Sequence, residues 1–532
     1  CPGRSVAKAI GAAQPMLVVA AVALLVYLRT LAPTITWAHY GADGGDLITA
    51  AVTRGVPHPT GYPTYLLLGR LFLLLPWGDP ARRLNLMSAV FAALTVALLH
   101  LIVITTFRLY GDRLITWRER LVAAAGALVF AFSPLLWSQA VITEVYTLNA
   151  FFAALTTYLV LRWAERGSHW LLALAVLVLG LGLGNHLTLS LLAPAVLLLT
   201  WSRRASLRSV SPWHLFALPL LFLLGLSVYL LLPLRASHRP AVNWGDPRTV
   251  AGFRWLVSGR LYRNYLFSLP LRYLPARLSA WVTLLIREFG WWGVSLGLVG
   301  AWSLWRAARR AALFFAVTLL GFSVYAIGYD TSDSQVYLIP AFLAFAVWLS
   351  WGLAFLVEEA QRRIAPSTSR LLRALPLGLV LLLPLIPLAS HAATIDLSAD
   401  YEAANYNLDV LETVAPEAII LSQTDAHTFS LWYGRYAQGR RNDVAILDAG
   451  LLSYAWYRRN TAGLHARIAL GAPSTGASGE TSPASSFSLG SFIAENLERY
   501  PIYLTDPDAQ THSRYTLSPE GPVYQVLGQK GD

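Results

Sequence analysis

The stretch HYGADGGDLITAAVTRGVPHPTGYP (His39–Pro63) directly follows the first strongly apolar segment of the chain. It sets two carboxylates, Asp43 and Asp46, among three glycines, then runs through a Gly-Val-Pro-His-Pro turn to Gly-Tyr-Pro. Acids and a histidine, His58, thus stand at the mouth of a hydrophobic span. What they do depends on the side of a membrane to which that mouth opens.

A membrane is dictated by composition. The 532 residues are 56% hydrophobic and only 13% charged, with a mean hydropathy of +0.51, whereas soluble globular chains carry about 25% charged residues. Apolar runs near 20 residues recur from Pro15 to His391, the length that crosses roughly 30 Å of hydrocarbon. The reading is an all-α polytopic membrane protein. The single cysteine, Cys1, excludes an intramolecular disulfide framework. The first span lacks a small-residue cleavage site at its end and is expected to stay as an anchor. The formal charge of +12 does not point to nucleic acid, because the arginines are spread through short links between apolar runs.

Eleven span cores follow, near 14–32, 84–107, 121–138, 145–161, 170–184, 187–201, 214–234, 281–304, 311–328, 336–356 and 374–390. Alternate links are basic: Arg113, Arg118 and Arg120; Arg162 and Arg166; Arg203, Arg204 and Arg208; Arg306, Arg309 and Arg310; Arg362 and Arg363. The links around Glu144, Asn185 and Asp330 hold no Lys or Arg. By the positive-inside rule the N-terminus is cytoplasmic. The short segment YPTYLLLGRLFLLLPW (62–77), with Arg70 in its middle, would invert every later loop if it spanned, so it reads as an interfacial helix on the outer leaflet.

This organisation gives a transmembrane domain over 1–390, with outer loops at 33–83 and 236–280, and an extracytoplasmic domain over 391–532. The tail is more polar. Its run AIILS, the helix-like AHTFSLWYGRYAQ and a second run DVAILDA predict a β-α-β unit of a small α/β domain. Residues 471–486, GAPSTGASGETSPASS, read as a flexible loop. The tail shows no repeat of fixed period.

Polar residues gather on the outer face, where ionisable groups beside lipid are costly and usually functional. Besides Asp43, Asp46, His58 and Tyr62, they include Glu144 and Tyr146 in WSQAVITEVYTLN, Asn185 and His186 in GLGNHLT, and Asp330 and Asp333 in GYDTSDSQVY. The loop after the seventh span breaks the positive-inside rule. It carries Arg235, Arg239, Arg248, Arg254, Arg260 and Arg263, with Trp244, Trp255 and Tyr262 between them. Guanidinium forks match phosphate oxygens, so this loop predicts an anionic partner or, more plainly, contact with lipid headgroups. Asp46 fits a helix cap near Leu47. Asp43 lies farther out in a Gly-rich loop, where apolar surroundings would raise its basicity as a general base requires. His58 between two prolines fits turn architecture or a substrate contact, His186 a helix end or a substrate contact. Asp330 and Asp333 read first as helix-end residues. Arg287 and Glu288 fit an interfacial charge pair or part of a groove.

With these motifs in view, the sequence resembles a known family. APTITWAHYGADGGDLITAAVTRGVPHPTGYPTYLLLGRLF looks like the start of the bacterial DUF2723 proteins, relatives of the eukaryotic transmembrane protein 260 O-mannosyltransferases in the GT-C superfamily. The likeness continues through FSPLLWSQAVITEVYTLNA, GLGNHLTL, LPLRASHRPAVNWGDPRT, DSQVYLIPAF and DAHTFSLWYGRYAQGRRNDVAILD. It implies a GT-C fold whose first outer loop roofs the active site and supplies an acidic base. The family pattern Asp-Ser-Gly-Glu is here Asp-Gly-Gly-Asp, so Asp43 keeps the leading acid while Asp46 is a shorter second one.

The resemblance implies an inverting glycosyltransferase working at the outer face of a cell membrane. A polyprenyl-phosphate-linked sugar is the donor, its phosphate gripped by Arg235, Arg239 and Arg263. Asp43 and Asp46 are the catalytic residues. The remaining substrate contacts are His58, Tyr62, Glu144, Tyr146, Asn185, His186, Trp244 and Asp333. The acceptor is a protein hydroxyl, with a glycolipid or cell-wall polysaccharide as the alternative. No metal site is assigned, although Asp43, Asp46 and Glu144 offer hard oxygen ligands suited to Mg²⁺ or Mn²⁺. A lipid-saccharide transporter would place its polar residues near the bilayer midplane in paired halves. An inactive scaffold would have no use for an intact Asp43.

Overall fold

The computed structural model describes residues 2–109, 115–204, 212–365, 369–470 and 487–530, with side chains from Gln14 onward except that of Gln510. Cys1, Arg113, Arg208 and the loop expected at 471–486 lie outside the described residues. Among the described residues six helices are long and apolar enough to cross a membrane: Pro80–Leu109, Pro212–Ala236, Leu271–Ala307, Arg309–Gly328, Ser334–Arg363 and Arg370–Ile395. A seventh arises if Trp117–Ala131 and Pro134–Ala140, bent by 69°, form one broken span. The break has a local cause. A proline disfavours helical geometry in the residue before it, and Ser133 is extended at φ −67°, ψ 140°.

Gln14–Arg29, His169–Leu183 and Leu187–Ser202 are shorter apolar helices. Each of the eleven expected cores falls on a helix or a helix pair. Length and apolarity alone support six or seven spans. The last apolar helix runs on to Ile395, past the expected boundary at 390.

The helix over Pro63–Phe72 has 10 residues, about 15 Å at 1.5 Å per residue, half of what a bilayer crossing needs. It buries Tyr65 and Leu66 and exposes Leu67 and Leu71, the two-sided character expected of an interfacial helix. Long helices cross closely where small residues allow. A Cβ on Gly300 would run into the backbone of Trp348 and Gly352, and one on Gly352 into the Leu296 carbonyl. That contact locks Leu274–Ala307 against Ile339–Arg363 and fixes the turn carrying Asp333 just ahead of the second helix.

Among the described residues the C-terminal region holds a five-stranded sheet in the order β2-β1-β3-β5-β4. Strands β1 (Ile419–Ser422), β2 (Ala445–Asp448) and β3 (Ile502–Leu504) are parallel; β4 (Tyr515–Glu520) and β5 (Val523–Gln529) add an antiparallel hairpin. The first three strands are buried throughout, as expected of parallel strands covered on both faces. The β-α-β unit read from sequence is present as β1, the helix Asp425–Trp432 and β2.

This region packs on both long loops, 33–83 and 236–280. Trp37 Nε1 donates to the Ala426 carbonyl at 3.0 Å, the Thr36 hydroxyl donates to Asp400, and Tyr433 and Gln438 both donate to Asp79. On the second loop, the Ala241 carbonyl accepts from Asn460 Nδ2 at 3.3 Å, and Trp244 meets Trp456 with ring centroids 5.9 Å apart.

Candidate active site

The helix Gly44–Thr53 begins two residues before Asp46, so Asp46 does not cap it as the sequence suggested. Its carboxylate is fully buried and turned toward the following turn. One oxygen accepts the His58 backbone N–H at 2.9 Å and sits 2.7 Å from His58 Nδ1. The other accepts Trp244 Nε1–H at 3.1 Å. A buried carboxylate needs such donors to offset lost hydration. Asp46 is therefore the anchor of the Pro-His-Pro turn, with both oxygens engaged.

The far nitrogen of His58, Nε2, lies 3.0 Å from the Tyr62 hydroxyl and 3.5 Å from Asp43 Oδ2. Tyr62 donates its proton to the Pro59 carbonyl at 2.9 Å, which leaves its oxygen to accept from Nε2. With Nδ1 donating to Asp46, this network calls for a proton on both ring nitrogens. Electrostatics agree. Burial opposes the charge on His58, but Asp43 first, then Asp46 and Asp425, outweigh it and push the imidazole up to about 9.

Asp43 ends the turn Ala38–Asp43, in which His39 and Tyr40 take left-handed backbone angles. Its side chain keeps 36% exposure, yet its carboxyl is raised from the ordinary carboxylate value. Burial is the main cause, countered by His58 and reinforced by Asp46 and Asp333. A carboxylate that is accessible to solvent but closely surrounded by protein lines a recess. Glu144 is 2% exposed and raised well above the usual range by burial and then by Asp43, so it favours its neutral form.

The remaining candidates separate into two groups. Tyr62, Tyr146 and His186 share an aromatic cluster: His186 lies 6.1 Å from Tyr62 and 5.7 Å from Tyr146 between ring centroids. Burial and the nearby His58 charge lower His186 to about 4 and keep it neutral; its Nδ1 engages the Thr188 hydroxyl at 2.8 Å. Asp333 lies close enough to raise both Asp43 and Glu144. Trp244 holds Asp46. Asn185 is fully buried and braces the Glu144 link by donating to the Val145 carbonyl at 3.0 Å.

The arginine shelf does not form as read. Arg235 is 8% exposed and donates into the carbonyls of Ala50 and Gly55, because the turn after the Gly44–Thr53 helix leaves those acceptors inside. Arg239 is exposed, and exposed Arg263 donates to its own loop at Ser258. Among the described residues no hydrogen bond or ion pair joins these three to Asp43, Asp46 or Glu144. A cavity of about 700 Å³ does carry a cation: its lining includes Arg287 and His391 together with Trp37, His39, Tyr40 and Gln139, beside the same first loop. Arg287 is half exposed and approaches Glu288 at 4.0 Å.

Several residues of the recess were not singled out as site residues by sequence. Phe429 stacks on His58 at 6.3 Å, and Tyr262 meets it edge-on at 6.5 Å. Tyr337 closes the cluster around Tyr146 and His186. Asp425 reaches Asp43 and His58 electrostatically. The signal for Asp425 and Phe429 was present in DAHTFSLW, but nothing local says that this helix meets the first loop. Among the described residues no group of three or more His, Cys, Asp or Glu is set to hold a metal. Asp43, Asp46 and Glu144 make no ligand set, since the oxygens of Asp46 already accept His58 and Trp244.

Comparison with known proteins places these residues in context. Residues 43–209 match the protein O-mannosyl-transferase TMEM260 N-terminal domain, starting at Asp43, and residues 403–463 match TMEM260-associated domain 2. The chain is 29% identical over 454 residues to protein O-mannosyl-transferase TMEM260 of Mus musculus, covering 80% of this chain and 62% of the mouse protein. It is 23% identical over 564 residues to the Dictyostelium discoideum protein O-mannosyl-transferase tmem260, covering 95% and 66%. The chain thus spans less than two thirds of either relative. The fold is similar to that of apo ArnT from Cupriavidus metallidurans, with a TM-score of 0.52, 13% identity and 98% of both chains covered. The same protein bound to undecaprenyl phosphate gives 0.50 at 13% identity, covering 96% of this chain and 97% of ArnT. These are GT-C folds.

Proposed function

We propose that this multi-pass membrane protein is an inverting glycosyltransferase that moves a sugar, mannose by analogy with its relatives, from a polyprenyl phosphate to a protein hydroxyl on the outer face of a cell membrane. The observation that carries this reading is Asp43, a raised, accessible carboxylate held beside the fixed Asp46–His58 pair. Both relatives are named protein O-mannosyl-transferases, and a similar fold binds undecaprenyl phosphate.

In the proposed reaction Asp43 takes the proton of the acceptor hydroxyl as its oxygen attacks the anomeric carbon. The new C–O bond forms as the bond from that carbon to the phosphate oxygen breaks, and the polyprenyl phosphate leaves with the electron pair. Inversion follows from the single displacement. A phosphate is a good leaving group, so no strong acid is required; a cation that meets the charge developing on it is enough. We assign that cation to Arg287, whose cavity adjoins the first loop, in place of Arg235. His58, doubly protonated, keeps Asp43 oriented and part-balances the surrounding carboxylates. Asp46 acts through His58 and is a positioning residue.

The test is transfer by purified, reconstituted protein from a panel of polyprenyl-phosphate sugars to Ser/Thr peptides, with Asp43→Asn alongside. The variant is expected to lose activity by about 10²–10⁴-fold. Transfer by the variant at the rate of the unaltered protein removes Asp43 as base. No transfer from any donor by the unaltered protein removes the whole reading.

A further inference from the structure

The soluble domain carries chemistry of its own to the recess. In open α/β sheets, ligand crevices form outside the carboxyl ends of parallel strands where successive connections leave to opposite sides. The order β2-β1-β3 puts that point at the end of β1, and the residues there are Ser422, Thr424 and Asp425. Most polar groups of this edge are spent on one another. Thr428 donates to Asp448 at 3.1 Å and pairs with the Ser422 hydroxyl at 3.0 Å; Thr505 donates to Asp506, which also holds His427 at 2.7 Å. The Asp425 carboxylate differs. Among the described residues no hydrogen bond or ion pair engages it, and it is exposed.

The helix Asp425–Trp432 is pressed against the catalytic loop. A Cβ on Gly45 would collide with the Phe429 carbonyl, Phe429 stacks on His58, and Trp37 holds the Ala426 carbonyl. Asp425 therefore cannot swing away without undocking the domain. It lies close enough to Asp43 and His58 for their charges to act on it.

We propose that Asp425 is a positioning carboxylate for the acceptor, so that the soluble domain forms one wall of the active site and the acceptor sits between Asp425 and Asp43. This rests on the transfer reaction proposed above. Carboxylate oxygens accept from hydroxyl and amide donors. Asp43, Asp46, Asp333 and Asp425 outweigh the single charge of His58, so the wall selects a neutral or cationic hydroxyl-bearing acceptor and rejects an anionic one. Although Asp425 reaches solvent, the protein packed around its carboxylate, then Asp43 and Asp448, with His58 opposing and Asp46 adding, push it up to about 7. Near neutrality it can thus either accept a hydrogen bond from a hydroxyl or donate one to it.

Two measurements on the full chain in lipid nanodiscs test this. With polyprenyl-phosphate mannose and a neutral Ser/Thr peptide, Asp425→Asn is expected to raise the acceptor KM by about ten- to a hundredfold, the loss of one charge-assisted hydrogen bond. The fall in kcat should be smaller, and Asp425→Glu should recover part of the KM. An unchanged acceptor KM overturns the proposal and leaves the transfer reaction standing. The second readout needs no activity: ¹³C-histidine NMR of His58, assigned with His58→Gln. The titratable groups facing His58 are Asp43, Asp46, Asp425, Tyr62, Tyr262 and the neutral His186, so Asp425→Asn must lower its pKa. An unmoved His58 titration overturns the proposal even where no transfer is seen.

Discussion

The carboxylates and the arginines gathered around the first and second long loops are arranged in opposite ways. Asp43, Glu144, Asp333 and Asp425 come from four distant segments and converge on one recess. Six arginines share the single stretch from Arg235 to Arg263 and scatter. Arg235 turns inward onto carbonyls, Arg248 forks onto Asp246 at 2.7 Å through both Nε and Nη2, and Arg239, Arg254, Arg260 and Arg263 are exposed. Like charges repel, and short helices and turns aim successive side chains apart. They meet only where packed elements force them together and a counter-charge offsets the cost. In the recess that counter-charge is His58, fixed by Asp46. The loop has no such centre.

If the recess is the working half, the largest loss must come from its accessible acid. Asp43→Asn keeps shape and removes the base, and should cost about 10²–10⁴-fold in kcat while leaving folding intact, as circular dichroism melts would record. Asp46→Ala strikes the foundation instead. It leaves a buried imidazolium without its partner, which typically costs about 3–5 kcal/mol, read as a fall in thermal midpoint in detergent. A pH signature goes with it. The folded-state pKa of His58, about 9, lies above its ordinary 6.5, so its contribution to stability is fully present below pH 6.5 and lost as pH rises through about 9. The unaltered protein should lose stability over that window, and Asp46→Ala should flatten the slope. A steep slope surviving in the variant would mean that Asp46 does not hold the charge.

The same contrast explains what could be read before any coordinates. Hydropathy period and length are local, so all eleven apolar cores landed on helices, and the short apolar runs AIILS and DVAILDA gave a parallel strand pair in register from Ile419–Ala445 to Ser422–Asp448. The candidates Asp43, Asp46 and His58 share a 16-residue stretch, and their grouping needed only a helix and a turn. Arg235 departs from the expected shelf because neighbours in sequence need not be neighbours in space: its guanidinium turns inward onto the Ala50 and Gly55 carbonyls. Asp425 and Phe429 were invisible because their place depends on docking two domains, which no window of sequence reports. Asp46 as a cap failed on a matter of three residues: with Gly44 and Gly45 helical, the cap position passed to Asp43 and the second acid was free to turn inward.

A smaller effect probes the junction through which the soluble domain reaches the recess. Gly45 has the Phe429 carbonyl where a Cβ would stand, and backbone cannot yield as a flexible side chain can. Gly45→Ala should cost about 1–3 kcal/mol as an overpacking change. The loss should appear as faster proteolysis of the 396–530 region rather than as a disturbance of the distant Leu274–Ala307 and Ile339–Arg363 pair. Uniform destabilisation of both would mean that the two parts unfold as one unit.

The mildest prediction separates the two sets of arginines. If the loop contributes no phosphate contact, Arg263→Ala removes an exposed side chain whose one hydrogen bond is to its own loop, and its effect on stability should stay within about 0.5 kcal/mol. The donor KM should stay unchanged as well. Arg287 lies at the cavity beside the first loop, where a guanidinium can meet two phosphate oxygens at once. Arg287→Ala should therefore raise the donor KM by about tenfold or more, equivalent to one charge-assisted hydrogen bond, and Arg287→Lys should restore only part because a point charge cannot fork. Measuring donor KM across these three variants decides between the halves. A rise in Arg263→Ala with none in Arg287→Ala would return the phosphate to the loop and leave the carboxylate recess without a donor at its side.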